Sequence, residues 1–170
     1  MQMPAVKRSL ATRARAATPR PVPSGVQPSA VRTWLAVVRT YLLCDEVMTL
    51  RLARLGVRLA EHELLANIAS EPGLSQQTLA ARCFTAKSHV SALVVSLERR
   101  GWLQREVDAS DARVRRLQLT RSGEVVAKKT MAVQAEVVQA MATRVSSAEL
   151  LGIELAMQRV AQALEALRDG

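Results

Sequence analysis

The sequence predicts a mainly α-helical fold with a single small β-hairpin. Almost half of the 170 residues are apolar, so the chain can bury a core. Only one Phe, one Tyr and two Trp are present. Leu, Val, Ala and Met must therefore fill the core, which suits packed helices better than sheets rich in aromatic and β-branched residues. Apolar residues recur with helical spacing along most of the chain and alternate as in strands between residues 102 and 120.

Residues 1–30 are predicted to be a disordered basic tail. They hold five Lys or Arg residues, no acid and five prolines. Prolines remove backbone donors, and the tail has too little apolar surface to offset the entropy of ordering. An Arg- and Ala-rich start is also loosely typical of an organelle transit peptide, so that alternative stays open.

Helical spacing then predicts a long first helix over residues 31–56, which Gly56 ends. A second helix is predicted over residues 59–70, before a turn at Glu71, Pro72 and Gly73. In the next segment Ser75 has the position of an N-cap, where its hydroxyl accepts from the first backbone N–H groups of a short helix.

The fourth helix is predicted to begin after Thr85, which is its predicted N-cap, and to end at Gly101. Alternation over residues 102–107 and 116–120 predicts the hairpin, with turn-forming residues from Asp108 to Asp111 between its strands. A long helix over residues 121–144 follows. Ser146 and Glu149 then have the spacing of a capping box at the start of the last helix.

The formal net charge is +9, which favours a polyanionic partner such as nucleic acid or an acidic membrane. The segment from residue 82 to residue 121 contains nine basic and four acidic residues, a local net charge of +5. No apolar run reaches the roughly 18 residues of a membrane span. Two cysteines, without CxxC spacing or paired histidines, indicate neither a disulfide framework nor a zinc site, so a reducing, cytoplasmic location is expected.

A winged helix-turn-helix requires three helices followed by a hairpin, with a short loop between the last two helices. The second, third and fourth predicted helices and the hairpin have this order. The major groove of B-DNA admits one helix, and small polar or basic side chains near its N-terminus reach base edges. Four such residues lie on the polar face of the fourth helix: Lys87, Ser88, His89 and Ser91. The alternative is that the arginines of the hairpin are only solvated surface charge.

The segment LSQQTLAARCFTAKSHVSALVVSLERRGWLQREVDASDARVRRLQLTRSG, residues 74–123, resembles the core of the MarR (multiple-antibiotic-resistance regulator) family of transcription factors. In that family the recognition helix ends in Leu-Glu-x-x-Gly, and Arg-x-x-Asp-x-x-Asp-x-Arg and Leu-Thr-x-x-Gly follow. The matching residues are Leu97, Glu98, Gly101, Arg105, Asp108, Asp111, Arg113, Leu119, Thr120 and Gly123. Two positions depart from the family: Ala92 stands where relatives often have Arg, and Ala86 where they often have a capping Ser or Asp.

The resemblance implies a homodimer on a pseudo-palindromic DNA operator, with Arg113 of the wing in the minor groove and Asp111 holding it in place. It also implies that the N- and C-terminal helices interleave into the dimer interface. The residues agree, because the apolar seam from Leu150 to Leu167 needs a partner helix. Val31, Leu35, Val38 and Leu42 add apolar surface that one wing domain does not cover. Packing of these stripes within one chain is the alternative.

Four segments are therefore expected: the tail 1–30, a dimerisation helix 31–56, a winged helix-turn-helix domain 57–121 and C-terminal dimerisation helices 122–170. The predicted DNA contacts comprise the fourth-helix residues already named, Arg113 and Arg115 in the wing, and Ser75, Gln76 and Gln77 at a helix N-terminus, where phosphates commonly bind. Basic tail residues add attraction that does not depend on base sequence.

The resemblance further implies a repressor that a small phenolic or carboxylic ligand releases from DNA. The candidate ligand contacts are His62, Cys44 and Met48. Oxidant sensing through Cys44 is a minor alternative, although its acidic neighbours Asp45 and Glu46 disfavour a thiolate. No catalytic constellation, cofactor loop or metal cluster is present in the sequence, so an enzyme is not expected. A sequence-blind architectural DNA binder and a helical protein-interaction module remain the alternatives.

Overall fold

The computed structural model describes residues 27–108 and 115–170. The chain divides into two units, Met1–Arg39 and Thr40–Gly170. Its elements are α1 (Pro28–Ala53), α2 (Leu59–Ser70), α3 (Gln76–Arg82), α4 (Lys87–Arg99), β1 (Leu103–Val107), β2 (Arg115–Leu119), α5 (Arg121–Ala142) and α6 (Ser147–Asp169). The predicted fold class, mainly helical with one hairpin, is confirmed.

Helix α1 begins at Pro28, so the prediction of a disordered tail is wrong for residues 28–30. Proline suits the first position of a helix because no intrahelical bond needs its missing N–H. Residues 1–26, with the rest of the predicted tail, lie outside the described residues.

Two glycines end helices as predicted. Gly56 has φ +66° and Gly101 has φ +68°, in the left-handed region that favours glycine. The N–H groups of Gly56 and Val57 donate to the carbonyls of Ala53 and Leu52, at 3.0 and 3.2 Å. This pair of bonds satisfies carbonyls that the end of α1 leaves without intrahelical partners, and α4 ends in the same way at Gly101.

The predicted N-caps are confirmed at Ser75 and at Ser146, whose capping box with Glu149 is complete. The prediction that Thr85 caps α4 is wrong. Ala86 is the N-cap residue, and it has no side-chain cap bond. The N–H of Thr85 instead donates to the carbonyl of Ala80 at 3.0 Å, which closes the end of α3 and moves the start of α4 one residue later.

The hairpin is antiparallel, with Leu103 opposite Leu119 and Val107 opposite Arg115. The N–H of Leu117 donates to the carbonyl of Leu74 at 3.0 Å, and the N–H of Gly73 donates to the carbonyl of Leu117 at 2.9 Å. The segment before α3 is therefore fixed to β2. Most of the predicted turn, residues 109–114, lies outside the described residues.

The main core of the second unit lies between α2, α3, α4, the hairpin and α5. Its fully buried members include Leu65, Leu79, Val94, Leu97 and Leu117. Leucine and valine fill this space almost alone, as the shortage of aromatic residues predicts. A smaller apolar cluster joins Met48 and Leu52 of α1 to Val137 of α5.

Helix α6 has no buried residue among those whose side chains are described. Its apolar side chains stay exposed along the predicted seam, from Leu150 at 41% to Leu164 at 60% and Leu167 at 79%. In the first unit Trp34 and Leu35 are also more than half exposed. No helix in the described ranges is long and apolar enough to cross a bilayer.

Candidate nucleic-acid interface

Helix α4 exposes its first turn and buries its opposite face. Lys87, Ser88 and His89 are exposed and Ser91 is half-buried. The apolar residues of the helix point into the main core: Val90, Leu93, Val94 and Leu97. The four predicted base-contacting residues therefore lie on the solvent side of a helix that the core holds in place.

The N-terminus of α3 adjoins this face. Ser75 Oγ accepts a hydrogen bond from the N–H of Thr78 at 3.1 Å, which fixes the start of the helix. Gln76 Oε1 lies 2.8 Å from Ser91 Oγ, and that hydroxyl lies 2.9 Å from the carbonyl oxygen of Lys87. Gln77 is exposed beside them. The predicted contacts of α3 and α4 thus form one continuous polar surface.

Arg113, which is predicted to enter the minor groove, and Asp111, which is predicted to hold it in place, both lie outside the described residues. Arg115 is exposed at the start of β2. Sequence reasoning missed the neighbouring ion pair between Arg116 and Asp108. Arg116 also donates from Nη1 to the carbonyl of Gly73 at 3.3 Å, which ties the wing to the turn before α3. Opposite charges on the two strands next to the turn of a hairpin are the sequence signal for such a pair.

The base of the wing is fixed to the end of α4. Arg105 of β1 pairs with Glu98 at 3.0 Å. Thr120 caps α5 by accepting from the N–H of Gly123, and its hydroxyl donates to the carbonyl of Gly101 at 2.6 Å. A Cβ on Gly123 would lie 1.8 Å from the carbonyl oxygen of Trp102. The Leu-Thr-x-x-Gly sequence therefore reflects a cap and a close backbone crossing.

A buried carboxylate joins α2 to the end of α4. Glu61 is 1% exposed and accepts bonds from Arg58 Nη2 and Arg100 Nη1, both at 3.0 Å. It also accepts from the backbone N–H of Arg58 at 3.0 Å and from Ser96 Oγ at 3.3 Å. Burial alone would raise the pKa of Glu61, but these bonds and the two guanidinium charges outweigh burial and lower it.

Arg100 extends this network in two directions. Its Nη2 donates to the carbonyl of Gly56 at 2.8 Å, and its guanidinium lies 3.5 Å from the ring centroid of Trp102. The turn after α1, helix α2, the end of α4 and the start of the wing therefore meet at one side chain. Sequence reasoning missed Glu61 and Arg100, because helical periodicity gives no signal for partners 39 positions apart.

The three predicted ligand contacts lie around one cavity of about 210 Å³. His62, Cys44 and Met48 all line it, between α1, α2 and α5. The remaining lining residues are Tyr41, Asp45, Leu59, Glu63, Gln134, Val137 and Val138. The lining includes two carboxyl side chains, Asp45 and Glu63, but no Lys or Arg.

His62 is 2% exposed, and its burial lowers its pKa despite an opposing side-chain hydrogen bond with Gln134. No described residue hydrogen-bonds its Nδ1. Glu63 is exposed, but partial desolvation and the nearby negative charge of Asp45 raise its pKa, while the charge of His89 opposes the shift. The cavity lining therefore includes an imidazole whose lowered pKa favours its neutral form and whose Nδ1 has no hydrogen-bond partner among the described residues.

Both cysteines are free thiols. Cys83 packs against the main core, as predicted for a small apolar residue, and burial and the charge of Glu63 raise its pKa. Among the described residues no group of three His, Cys, Asp or Glu side chains is arranged to hold a metal ion.

Comparison with known proteins identifies relatives. Residues 55–114 match the sequence model of the MarR family. Transcriptional regulator HosA of Escherichia coli O127:H6 is 31% identical over 100 residues, which are 59% of this chain and 72% of HosA.

Solved structures share the fold over most of the chain. The S. aureus MepR–DNA complex gives a TM-score of 0.68 at 21% identity, covering 78% of this chain and 97% of the MepR chain. Streptococcus pneumoniae FabT in complex with DNA gives 0.65 at 20% identity, covering 83% and 99%. These matches show the winged helix-turn-helix fold. The 31% identity to HosA over 72% of its length, with the family match at residues 55–114, establishes that the chain belongs to the MarR family of transcriptional regulators.

Proposed function

We propose that this protein is a homodimeric, sequence-specific DNA-binding repressor that a small ligand releases from a pseudo-palindromic operator. The observation that carries the proposal is the continuous polar surface of α3 and α4, where Gln76 meets Ser91 beside exposed Lys87. The MepR and FabT structures that share the fold are complexes with DNA.

On the proposed operator, α4 enters the major groove by its N-terminal turn. Lys87, Ser88, His89 and Ser91 contact base edges, and Ser75, Gln76 and Gln77 contact phosphates at the start of α3. In the wing Arg113, held by Asp111, enters the minor groove and Arg115 contacts the backbone. The basic residues of the tail add attraction that depends on salt rather than on base sequence.

The proposed dimer interface uses the apolar seam of α6. Within the described chain this seam has no packing partner that buries it, because Met157, Leu164 and Leu167 remain between 36% and 79% exposed. Exposed apolar stripes of this kind mark interaction surfaces, and two-fold symmetry presents both α4 helices to one face of the duplex. Residues 31–56 and 122–170 are then the dimerisation segments, and residues 57–121 are the DNA-binding domain.

The proposed effector site is the cavity that His62, Cys44 and Met48 line. Its volume of about 210 Å³ suits a ligand smaller than the drug-sized molecules that fill pockets of about 300–1,000 Å³. The O–H of a phenol or of a protonated carboxylic acid can donate to the unpartnered His62 Nδ1 without placing a further anion near Asp45 and Glu63. Because His62 follows Glu61 on α2, a ligand that shifts α2 also shifts the carboxylate bonded to the end of α4.

The DNA-binding proposal is tested by selecting preferred duplexes from random DNA and measuring affinity by titration. The selected site is expected to bind roughly 10³-fold or more tightly than scrambled DNA. Lys87→Ala should weaken binding, whereas Lys129→Ala, the same change at an exposed position of α5, should not. Salt-dependent binding with no preferred sequence would identify an architectural binder, and no DNA binding at all would favour a protein-interaction module.

Dimerisation is tested separately by sedimentation. Leu164→Glu places a charge in the α6 seam and should give monomers, whereas Gln162→Glu adds the same charge beside the seam and should leave the dimer intact. A monomeric wild-type protein contradicts the proposal. Effectors are then sought among small phenols and aromatic carboxylic acids by loss of operator binding, with His62→Phe expected to remove the response.

A further inference from the structure

The turn between α3 and α4 carries an aromatic side chain that nothing in the described chain covers. Phe84 is 91% exposed, more than any other large apolar side chain in the described ranges. Its φ is +48°, and among the described residues it is the only non-glycine with a positive φ. A bulky side chain is disfavoured in this left-handed conformation, and a phenyl ring that stays exposed to water contributes no hydrophobic stabilisation to the folded state.

The turn itself does not need the ring. The N–H groups of Phe84 and Thr85 donate to the carbonyls of Ala81 and Ala80 at 3.3 and 3.0 Å, the pattern that ends helices at a left-handed residue. Glycine is the usual residue at that position and would make both bonds without strain. The capping geometry therefore explains the backbone of Phe84 but leaves its side chain unexplained.

The surroundings of the ring favour a nucleic acid as its partner. Phe84 borders an open hollow of about 460 Å³ whose other lining residues are Ala80, Ala81, Thr85, Ala86 and Arg168. The three alanines leave room beside the ring, and no acidic residue of the described chain lines the hollow. Lys87 begins α4 three positions later. An apolar ring that shares a hollow with a guanidinium suits DNA, which presents both negative phosphates and apolar methyl groups.

We propose that Phe84 is a specificity-determining residue that packs against the C5-methyl group of a thymine in each half-site. This inference rests on the proposed function, which inserts the N-terminal turn of α4 into the major groove. A phenyl ring neither donates nor accepts conventional hydrogen bonds. The thymine methyl is the one apolar group on the base edges of that groove, so thymine is the base that the ring distinguishes.

The test compares the wild-type protein with Phe84→Gly, a variant that removes the ring and suits the backbone. Because strain is relieved, the variant should melt about 2–4 °C higher. It should nevertheless bind the wild-type-selected operator roughly tenfold more weakly, from loss of one methyl contact in each half-site. Site selection with the variant should lose the thymine preference at one position per half-site and keep the rest of the motif.

Replacing that thymine with deoxyuridine removes only the methyl group. Wild-type affinity should fall roughly tenfold, and the affinity of Phe84→Gly should not change further, whereas deoxyuridine outside the site should affect neither protein. Equal motifs and affinities for the two proteins overturn the inference. The inference is also overturned if Phe84→Gly binds more weakly than wild type by the same factor on the thymine and the deoxyuridine operators. That result would place the ring against the DNA backbone. These failures leave wild-type site selection intact, whereas absence of any wild-type preference overturns the proposed function as well.

Discussion

Replacing Glu61 with glutamine preserves the shape of the side chain and removes its charge from the network between α2 and α4. The carboxylate is 1% exposed and accepts bonds from two arginines, one serine and one backbone N–H. In the variant an amide group faces at least one guanidinium that formerly donated to the carboxylate. One charge-assisted bond is therefore lost and the others are weakened.

The magnitude follows from the exposure of the partners. A hydrogen bond to a charged group contributes about 1.5–3 kcal/mol, and loss of a buried ion-pair partner costs more when the remaining charge cannot reach water. Here the Arg58 and Arg100 side chains are 70% and 33% exposed, so both remain partly hydrated in the variant. Glu61→Gln should therefore lower the free energy of unfolding by about 2 kcal/mol, which is about 4–8 °C in Tm.

Urea denaturation at pH 7 measures this loss, with Glu165→Gln on the exposed face of α6 as the matched control. Because the folded state lowers the pKa of Glu61, its contribution is present above the ordinary value of 4.5 and is lost as pH falls through the folded pKa. The difference between wild type and variant should therefore shrink below pH 4.5. Arg100→Met combined with Glu61→Gln should cost less than the sum of the single changes. A loss equal to that of the control, or strict additivity, refutes the network.

Three further changes test other parts of the structure. Gly123→Ala forces a Cβ against the Trp102 carbonyl at 1.8 Å and should cost about 3 kcal/mol or more in urea denaturation, whereas Gly152→Ala, with no atom within 4 Å, should not destabilise the protein. Thr120→Ala should cost about 1–2 kcal/mol through loss of the α5 cap, and serine at that position should restore most of it. Burial lowers the pKa of His62, so wild-type stability should fall as pH drops below about 6.5, where the unfolded chain binds the proton first. His62→Gln should remove that slope from thermal melts, and identical slopes would show that other groups cause it.

Local sequence signals predicted most element boundaries because they depend on neighbouring residues. Gly56 and Gly101 end helices through bonds to carbonyls only three and five positions earlier. The start of α4 was predicted less well, since Thr85 has the hydroxyl of a cap but its backbone N–H closes the preceding helix on Ala80. Thr85 lies between the end of α3 and the start of α4, so it could close the first helix or cap the second. Its side-chain preference alone does not decide between these two roles.

The candidate sites were predictable only where they follow helix faces. The helical positions of Cys44, Met48 and His62 place them around one cavity, and their binding of a ligand stays a prediction. Glu61 immediately precedes His62 but was not predicted, because its partners Ser96 and Arg100 lie 35 and 39 positions away. Contacts of that range depend on how α2 packs on α4, which no local pattern specifies.

Basic residues between positions 82 and 121 have two structural roles that net charge does not separate. Four of them form ion pairs within the described chain: Arg82 with Glu71, Arg100 with Glu61, Arg105 with Glu98 and Arg116 with Asp108. The last three of these pairs fix the end of α4 and the wing to their surroundings, and a paired guanidinium attracts phosphate less strongly than an unpaired one. Lys87 instead stands exposed at the start of α4. Part of the positive charge of this segment is therefore neutralised by the ion pairs that hold α4 and the wing in position. The distance from each basic side chain to an acidic partner, rather than the number of basic residues, indicates which cations remain available to a phosphate.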